Sequence, residues 1–311
     1  MDKEKQQYVV GVDIGGTHIR IGAITTEKKL CFFTKKKIND VLDHNQPITS
    51  LIKFLEEYIQ THFSIEDTLA IGIGFPSIVS KDKKSIYSTP NLECLSNINI
   101  VDPLQDYLEV PVFIDNDVNQ LLQFEISKRD ILKDDIVLGF YIGTGFGNSI
   151  YINQQFLDGK NGAAGELGHI PVLNSDDMCS CGNPSCIETK ASGKKLVSIH
   201  KESFSDVPFE KIFSYYSNHQ IIDEFIKAIS IPIVTEINIF DPHLVIIGGG
   251  VTGMDNFPVK RLEEYILTYC RKPFPAEGLR IEYAEDTDSA GVIGAATSIL
   301  NRSNFEDKIT S

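Results

Sequence analysis

The sequence lacks any long apolar segment. No uninterrupted apolar run in its 311 residues approaches the roughly 18 residues that a membrane-spanning helix requires. Residues 1–7 are charged and polar, and they contain no apolar core of the kind found in secretion signals. We therefore expect a cytoplasmic protein with no membrane partner.

The sequence also lacks an excess of basic residues. It has 29 Lys and Arg against 43 Asp and Glu, which gives a net charge of -14. Such a surface repels polyanions, so we expect no nucleic-acid partner. A phosphorylated ligand would have to be held by local backbone donors and a bound cation, which favours glycine-rich loops.

Cysteine is scarce, and half of the six cysteines lie in one short stretch: Cys179, Cys181 and Cys186. Disulfides are not expected in a reducing cytosol, so this crowding indicates a metal site. His169 precedes the cysteines in Gly165-Glu166-Leu167-Gly168-His169. One imidazole and three thiolates form the ligand set of a closed tetrahedral site, which predicts a structural Zn²⁺.

One pattern occurs twice, about half a chain apart. A β-branched run, a glycine turn with a threonine and a second apolar run span residues 8–24 and again residues 136–152. The repeat predicts two similar α/β lobes. No low-complexity linker separates them, so backbone crossings should connect the lobes. The spacing of apolar residues further predicts helices over 47–63, 118–126, 221–240 (interrupted by Pro232) and 290–300, and strands over 69–74, 110–114 and 244–247.

The two glycine turns are candidate phosphate sites, because glycine lets backbone N–H groups approach phosphate oxygens closely. No Gly-Lys-Ser/Thr follows either turn, so neither is a Walker loop. Asp13, at the end of the first strand, could hold Mg²⁺ through water. Three glycines after the strand at 244–247 offer bare backbone to an adenosine. The alternative is that these are ordinary hairpins and flexible turns. The candidate nucleotide-binding residues are Asp13, Gly15, Gly16, Thr17, Gly143, Thr144, Gly145, Gly248, Gly249 and Gly250.

Asp117 is the candidate general base. It lies at a predicted strand-to-helix junction in Ile114-Asp115-Asn116-Asp117, where a carboxylate could accept a proton from a hydroxyl while Asn116 orients the same substrate. Asp is also a favoured helix N-cap, so the alternative is that Asp117 only caps the helix.

In this order, the motifs resemble the ROK family of sugar kinases over residues 9–296. The resemblance implies an actin-like, hexokinase-type (ribonuclease H-like) α/β fold, duplicated in two lobes with ATP and a monosaccharide in a central cleft. The expected lobes are residues 1–117 plus 297–311, and 118–296. The resemblance also implies ATP and Mg²⁺ as cofactors, a homodimer, and Asp117 as the base toward the C6 hydroxyl. The implied sugar contacts are Asn91, Asn116, Asp117, Glu166, His169 and Glu188, with His169 using its other ring nitrogen for zinc.

Within the family, residues 75–83, 88–92 and 271–275 are similar to the D-allose kinases. Two features depart from many relatives: the chain has no Trp, and Asn148 stands where a small apolar residue is more usual. Glucokinase, fructokinase and N-acetylmannosamine kinase activities are the alternatives within the family. Outside catalysis, a sugar-sensing repressor or a plain sugar-binding protein would share the fold, although the acidic charge argues against DNA binding.

Overall fold

A computed structural model describes residues 6–89, 92–173, 175–285 and 287–302. The strands are β1 (Tyr8–Ile14), β2 (His18–Thr25), β3 (Leu30–Lys37), β4 (Thr68–Phe75), β5 (Ile78–Val79), β6 (Ser85–Ser88), β7 (Ile98–Asn99), β8 (Val112–Asn116), β9 (Val137–Ile142), β10 (Phe146–Ile152), β11 (Gln155–Phe156), β12 (Leu244–Gly248) and β13 (Ile281–Tyr283). The helices are α1 (Pro47–His62), α2 (Val101–Leu108), α3 (Asp117–Ile126), α4 (Gly193–Ser203), α5 (Ile212–Tyr216), α6 (Gln220–Phe240), α7 (Val259–Tyr269) and α8 (Ala290–Leu300). Within the described ranges, no helix combines the length and the apolar character that a bilayer crossing requires.

The chain forms two compact units. The first comprises the described parts of Met1–Asp130, Asp158–Ala163 and Thr287–Ser311, and the second comprises Ile131–Leu157 and Ala164–Asp286. These boundaries differ from the predicted division at 117/118 and 296/297. Helices α3 and α8 approach each other closely: a Cβ on Gly294 of α8 would overlap the carbonyl oxygen of Gln120 in α3. Both helices therefore pack together within the first unit.

The first unit is built on a five-stranded sheet in the order β3-β2-β1-β4-β8. The hairpins β1–β2 and β2–β3 are antiparallel, whereas β4 runs parallel to both β1 and β8. In this register Asp13 lies beside Gly74, and Gly74 lies beside Asp115. Polar residues from two predicted motifs thus reach the same carboxyl edge of one sheet, which is where open α/β sheets bind ligands.

The second unit repeats this arrangement in the order β11-β10-β9-β12-β13. Its hairpins are antiparallel, and β12 runs parallel to β9 and β13. The predicted repeat therefore corresponds to β1–β2 in one sheet and β9–β10 in the other. Helix α6 runs unbroken through Pro232, where the sequence suggested an interruption.

Helix α8 packs very closely on the first sheet because small residues meet there. A Cβ on Gly11 of β1 would overlap the carbonyl of Val292, and one on Gly72 of β4 would lie 2.7 Å from the carbonyl of Ala295. Glycine on the strands and alanine and glycine on the helix let the backbones approach. The apolar cluster beneath α8 includes Val9, Ile24, Ala70 and Ile299.

Candidate active site

The first turn, residues 15–17, closes the β1–β2 hairpin. Gly15 N–H donates to the carbonyl of His18 at 2.8 Å, and Gly16 and Thr17 are exposed. Among the described residues, the N–H groups of Gly16 and Thr17 donate to no acceptor. The turn therefore presents two backbone donors to an approaching anion, as a phosphate-binding turn requires.

Asp13 already has a cationic partner. Its Oδ2 lies 3.0 Å from Arg20 Nη1, and Arg20 Nε lies 3.3 Å from Asp288. Burial raises the pKa of the Asp13 carboxyl, and Arg20 offsets part of this effect. A carboxylate can serve Mg²⁺ through water, so its chemistry fits that ion, but the cation would share Asp13 with Arg20.

Asn116 and Asp117 lie at the junction of β8 and α3. Asn116 is the N-cap of α3, because its Oδ1 accepts from Val118 N–H at 2.9 Å. Its Nδ2 donates to the carbonyl of Ser77 at 3.1 Å. Asp117 is the first helical residue, and its Oδ1 also accepts from Val118 N–H at 2.8 Å. The N-cap position considered for Asp117 thus belongs to its neighbour.

A half-buried lysine that bridges two carboxylates supports this junction, and sequence reasoning missed it. Lys83 Nζ lies 2.9 Å from Asp115 Oδ1 and 2.6 Å from Asp158 Oδ1. The same Asp115 oxygen accepts from Asn119 Nδ2 at 3.0 Å. Burial alone would lower the pKa of Lys83, but the two carboxylates outweigh it and raise the pKa. Asp115, the residue before Asn116, is therefore held by Lys83, by Asn119 and by the backbone N–H of Asn116 at 2.8 Å. Asn91, an expected sugar contact, lies outside the described residues.

The second turn, residues 143–145, joins β9 to β10 and rests on the start of α4. Gly193 N–H donates to the Gly143 carbonyl at 2.8 Å, and Lys194 N–H donates to the Thr144 carbonyl at 3.1 Å. Gly143 N–H in turn donates to the carbonyl of Gly145 at 3.1 Å. Among the described residues, the N–H groups of Thr144 and Gly145 have no acceptor. The carbonyls of the turn, which would repel a phosphate, already accept hydrogen bonds, and two backbone N–H groups remain to donate to an anion. The N-terminus of α4, the positive end of its dipole, lies next to the turn and favours a bound anion further.

The three glycines at the end of β12, Gly248, Gly249 and Gly250, lie beside this turn but differ in role. Gly249 has φ +98, and a Cβ there would lie 2.6 Å from Ile142 N. Gly248 is equally crowded, with Ala284 Cβ at 2.6 Å from its added Cβ, whereas nothing lies within 4 Å of one on Gly250. Packing against Ala284 and Tyr141 thus explains Gly248, packing against Ile142 explains Gly249, and Gly250 faces open space among the described residues.

Three expected sugar contacts lie on or beside two short 3₁₀ segments. Glu166 immediately precedes the segment Leu167–His169, which ends at His169, and Glu188 lies in the segment Ile187–Thr189. His169 Nε2 lies 3.5 Å from Glu166 Oε2. Burial raises the pKa of the Glu166 carboxyl and Glu188 adds to this, whereas His169 lowers it. The Glu166 side chain is nevertheless 41% exposed, so water screens these effects.

Glu188 touches the second turn. Its Oε2 accepts a hydrogen bond from Phe146 N–H at 2.9 Å. A Cβ on Gly145 would overlap this oxygen, and one on Gly168 would lie 3.5 Å from it. Gly145 is therefore required by Glu188 as well as by any phosphate, and sequence reasoning missed this role.

The His169, Cys179, Cys181 and Cys186 side chains form one cluster, with all four ligand atoms within 4.8 Å of one another. Cys179 Sγ lies 3.5 Å from His169 Nδ1, and Cys181 Sγ lies 3.6 Å from Cys186 Sγ. A tetrahedral zinc with bonds of about 2.3 Å to sulfur and about 2.0 Å to nitrogen separates its ligand atoms by about 3.5 to 3.8 Å. The residues present therefore fit zinc.

Without a metal ion, the crowded thiols oppose the ionisation of Cys186. Burial and the neighbouring thiols raise the pKa of Cys186 to about 12. Burial also opposes ionisation of Cys181, but hydrogen bonds from Asn183 and the neighbouring thiols lower its pKa overall. Three thiolates this close repel one another unless a cation lies among them.

A second buried pair escaped the sequence reasoning. Asn148 Nδ2 donates to Glu236 Oε2 at 2.8 Å and to the Gly139 carbonyl at 3.2 Å, and both side chains belong to residues only 5% exposed. Burial raises the pKa of Glu236 to about 7, although the Asn148 hydrogen bond lowers it. Asn148 Oδ1 is buried and accepts no hydrogen bond from any described residue, and it lies 3.0 Å from where Gly165 would carry a Cβ.

Comparison with known proteins identifies the family. The chain matches the ROK family over residues 9–302 and belongs to it. It is 28% identical to an N-acetyl-D-glucosamine kinase from Pectobacterium carotovorum, over 92% of this chain and 97% of that protein. It is 29% identical to a glucokinase from Halalkalibacterium halodurans, over 97% of this chain and 98% of that protein.

Solved structures share the fold. A ROK family glucokinase from Streptomyces griseus, in complex with glucose and AMPPNP, matches with a TM-score of 0.76 and 22% identity, over 94% of this chain and 98% of that one. A ROK family transcriptional regulator, a homologue of the E. coli MLC protein, matches with a TM-score of 0.81 and 20% identity, over 94% of this chain and 78% of that one. The predicted mixed α/β, actin-like, hexokinase-type fold is confirmed, and because a regulator shares it, fold alone does not choose the activity.

Proposed function

We propose that this protein is an ATP-dependent sugar kinase that transfers the γ-phosphoryl group of ATP to the C6 hydroxyl of a hexose. The second turn carries the proposal: its carbonyls are engaged by α4, its Thr144 and Gly145 N–H groups have no acceptor among the described residues, and Glu188 lies against it. Backbone N–H groups that can bind a phosphate and carboxylates that can bind sugar hydroxyls thus occur together in the second unit. The names of the relatives, glucokinase and N-acetyl-D-glucosamine kinase, support the same reaction class.

In the proposed mechanism, Asp117 accepts the proton of the C6 hydroxyl as that oxygen bonds to the γ-phosphorus. The bond between this phosphorus and the bridging oxygen breaks, and ADP leaves with the electron pair. The N–H groups of residues 16–17 and 144–145 would bind phosphate oxygens. Mg²⁺ bound with ATP would neutralise part of the phosphate charge, and Asp13 is the candidate protein ligand for this ion.

The proposed sugar contacts are Asn91, Asn116, Glu166, His169 and Glu188. Asn116 holds the Ser77 carbonyl, so its amide orientation is fixed before substrate binds. Glu166 and Glu188 can accept hydrogen bonds from sugar hydroxyls. Adenosine would lie against Gly250, the open position among the three glycines at the end of β12. The homodimer and the absence of a nucleic-acid partner stay predictions.

We propose D-allose as the preferred sugar. Two of the segments similar to D-allose kinases meet in the first unit, where Ser77 Oγ donates to the Ser88 carbonyl at 2.5 Å and accepts from Thr89 Oγ1 at 3.3 Å. Through the Ser77 carbonyl they also reach Asn116, beside the proposed base. The segments that resemble D-allose kinases would thus act next to the reacting hydroxyl.

A coupled assay of ADP release tests the activity and the substrate together. D-Allose should give the highest kcat/KM in a panel with glucose, mannose, fructose, N-acetylmannosamine and N-acetylglucosamine. Dominance of an N-acetylated sugar or of glucose would refute the allose assignment and leave the kinase. If no sugar raises ADP release above the rate with ATP alone, the kinase proposal is wrong, and a sugar-sensing regulator becomes the better reading.

We further propose that His169, Cys179, Cys181 and Cys186 hold one structural zinc that folds the segment presenting Glu166 and Glu188. Elemental analysis should find about one zinc per chain. Cys181→Ser should lose most of it, because Cys181 is the exposed ligand and its loss opens the tetrahedron with little change in packing. Cys31→Ser, outside the cluster, is the matched control and should keep the metal. Purified wild-type protein without zinc, or full zinc in Cys181→Ser, would refute the assignment.

A further inference from the structure

The strongest feature beyond the proposed function is the hydrogen bond between Glu188 and the backbone of the second turn. Glu188 follows Cys186 by two residues, so its backbone lies next to the His169, Cys179, Cys181 and Cys186 cluster. Its carboxylate then reaches Phe146, the first residue of β10, at 2.9 Å. A carboxylate expected to bind sugar is therefore also part of the support of the turn expected to bind phosphate.

Two glycines leave room for the hydrogen bond between Glu188 and Phe146. Gly145 lacks the side chain that would overlap Glu188 Oε2, and Gly168 leaves room on the other side. Phe146 N–H points to Glu188 rather than to a solvent acceptor, so the exit of the turn depends on this carboxylate for its direction. Within the described residues, Oε2 accepts this bond while Oε1 accepts none.

We propose that Glu188 is a positioning residue that couples sugar binding to nucleotide binding; this rests on the proposed function. With Oε1 on a sugar hydroxyl and Oε2 on Phe146 N–H, a bound sugar restricts Glu188 and thereby holds the second turn in the conformation that presents the N–H groups of Thr144 and Gly145. Coupling of this kind is reciprocal, so bound nucleotide increases the affinity for sugar by the same factor. The sugar-free turn is less constrained, which disfavours productive ATP binding when only water could accept the phosphoryl group.

The side-chain chemistry gives a matched pair of variants. Gln at position 188 still offers an amide oxygen to Phe146 N–H and keeps the length of Glu, whereas Ala removes the acceptor. Glu166→Ala is the control, because Glu166 is also a proposed sugar contact and its described ion pair is with His169 rather than with the turn. All three variants should be compared at equal zinc content and equal melting temperature.

The test is calorimetric titration of each protein with ADP, first without sugar and then with the best sugar of the panel at saturation. In the wild type, sugar should lower the Kd of ADP by about tenfold, within the range usual for coupled sites. Glu188→Gln should bind ADP within about twofold of wild type without sugar and keep part of the coupling, since it keeps the backbone hydrogen bond. Glu188→Ala should bind ADP about tenfold more weakly and show no sugar effect. Glu166→Ala should need more sugar for saturation and then show the full wild-type effect.

The possible outcomes separate the two proposals. Wild-type ADP affinity and full coupling in Glu188→Ala would overturn the role of Glu188 while leaving the kinase intact. Equal losses in Glu188→Gln and Glu188→Ala would also overturn it, because the backbone hydrogen bond would then not be the cause. A wild-type protein that neither binds ADP nor phosphorylates any sugar would instead refute the proposed function.

Discussion

Replacing Asp117 with Asn should lower kcat by a factor on the order of 10² or more while the protein keeps its fold. An amide cannot accept the hydroxyl proton, and general-base contributions are typically about 10² to 10⁴. Asn116 supplies the N-cap of α3, so the cap survives the change. The lost charge at the helix start should cost only about 0.3 to 1 kcal/mol. Steady-state kinetics and thermal melts measure the two effects.

Two variants of the first unit serve as controls. Asp102→Asn makes the same chemical change in the first turn of α2, where Asp102 binds Lys84 and Asn99, and kcat should not change. Asn116→Ala should lower the free energy of unfolding by about 1 kcal/mol, because it removes the cap. If Asp117→Asn folds, binds sugar and keeps most of its kcat, Asp117 is not the base.

Replacing Glu236 with Gln should stabilise the protein at neutral and alkaline pH. The pKa of Glu236 is raised from 4.5 to about 7 in the folded protein, chiefly by burial. Between these values the folded state binds more protons than the unfolded state, so stability falls as the pH rises through this window. The full penalty is on the order of 3 kcal/mol above the folded pKa. An amide carries no charge and avoids this penalty, and its N–H₂ group could donate to the orphaned Asn148 Oδ1.

Denaturant unfolding at several pH values between about 4.5 and 8 tests this. The difference in free energy of unfolding between Glu236→Gln and wild type should grow with pH across the window and then level off. Glu224→Gln, on the exposed side of the same helix, should show the wild-type pH dependence. Parallel pH profiles for Glu236→Gln and wild type would mean that Glu236 does not titrate in this range.

Local patterns made the two glycine-turn hairpins and four of the eight described helices (α1, α3, α6 and α8) predictable. The runs at 8–24 and 136–152 carry their own turn signals, so β1–β2 and β9–β10 could be placed without knowledge of the rest of the chain. The spacing of small residues likewise predicted α8. Strand β3 was missed because it ends in Lys35-Lys36-Lys37, is mostly exposed, and resembles a polar loop.

The interactions of the site were harder to predict because their partners are distant or ambiguous. Asn148 and Glu236 are 88 residues apart, so only the fold brings them together. Asn116 and Asp117 are both good caps, and a shift of one residue in the start of α3 decides between them. The Asp13–Arg20 pair was predictable: the short turn at residues 15–17 sets these two residues opposite each other on β1 and β2.

The position of α8 in the chain affects the order in which the protein can fold as the ribosome makes it. The strands that α8 covers, β1 and β4, are finished by residue 75, but the helix begins only at Ala290. Until then Val9, Ile24 and Ala70 lack their helical cover, and Gly11 and Gly72 lack the α8 backbone that packs against them. The first unit is therefore the first to begin folding and can be completed only after α8 is made. A chain released before that point would expose the apolar face of this sheet, the kind of surface that chaperones bind.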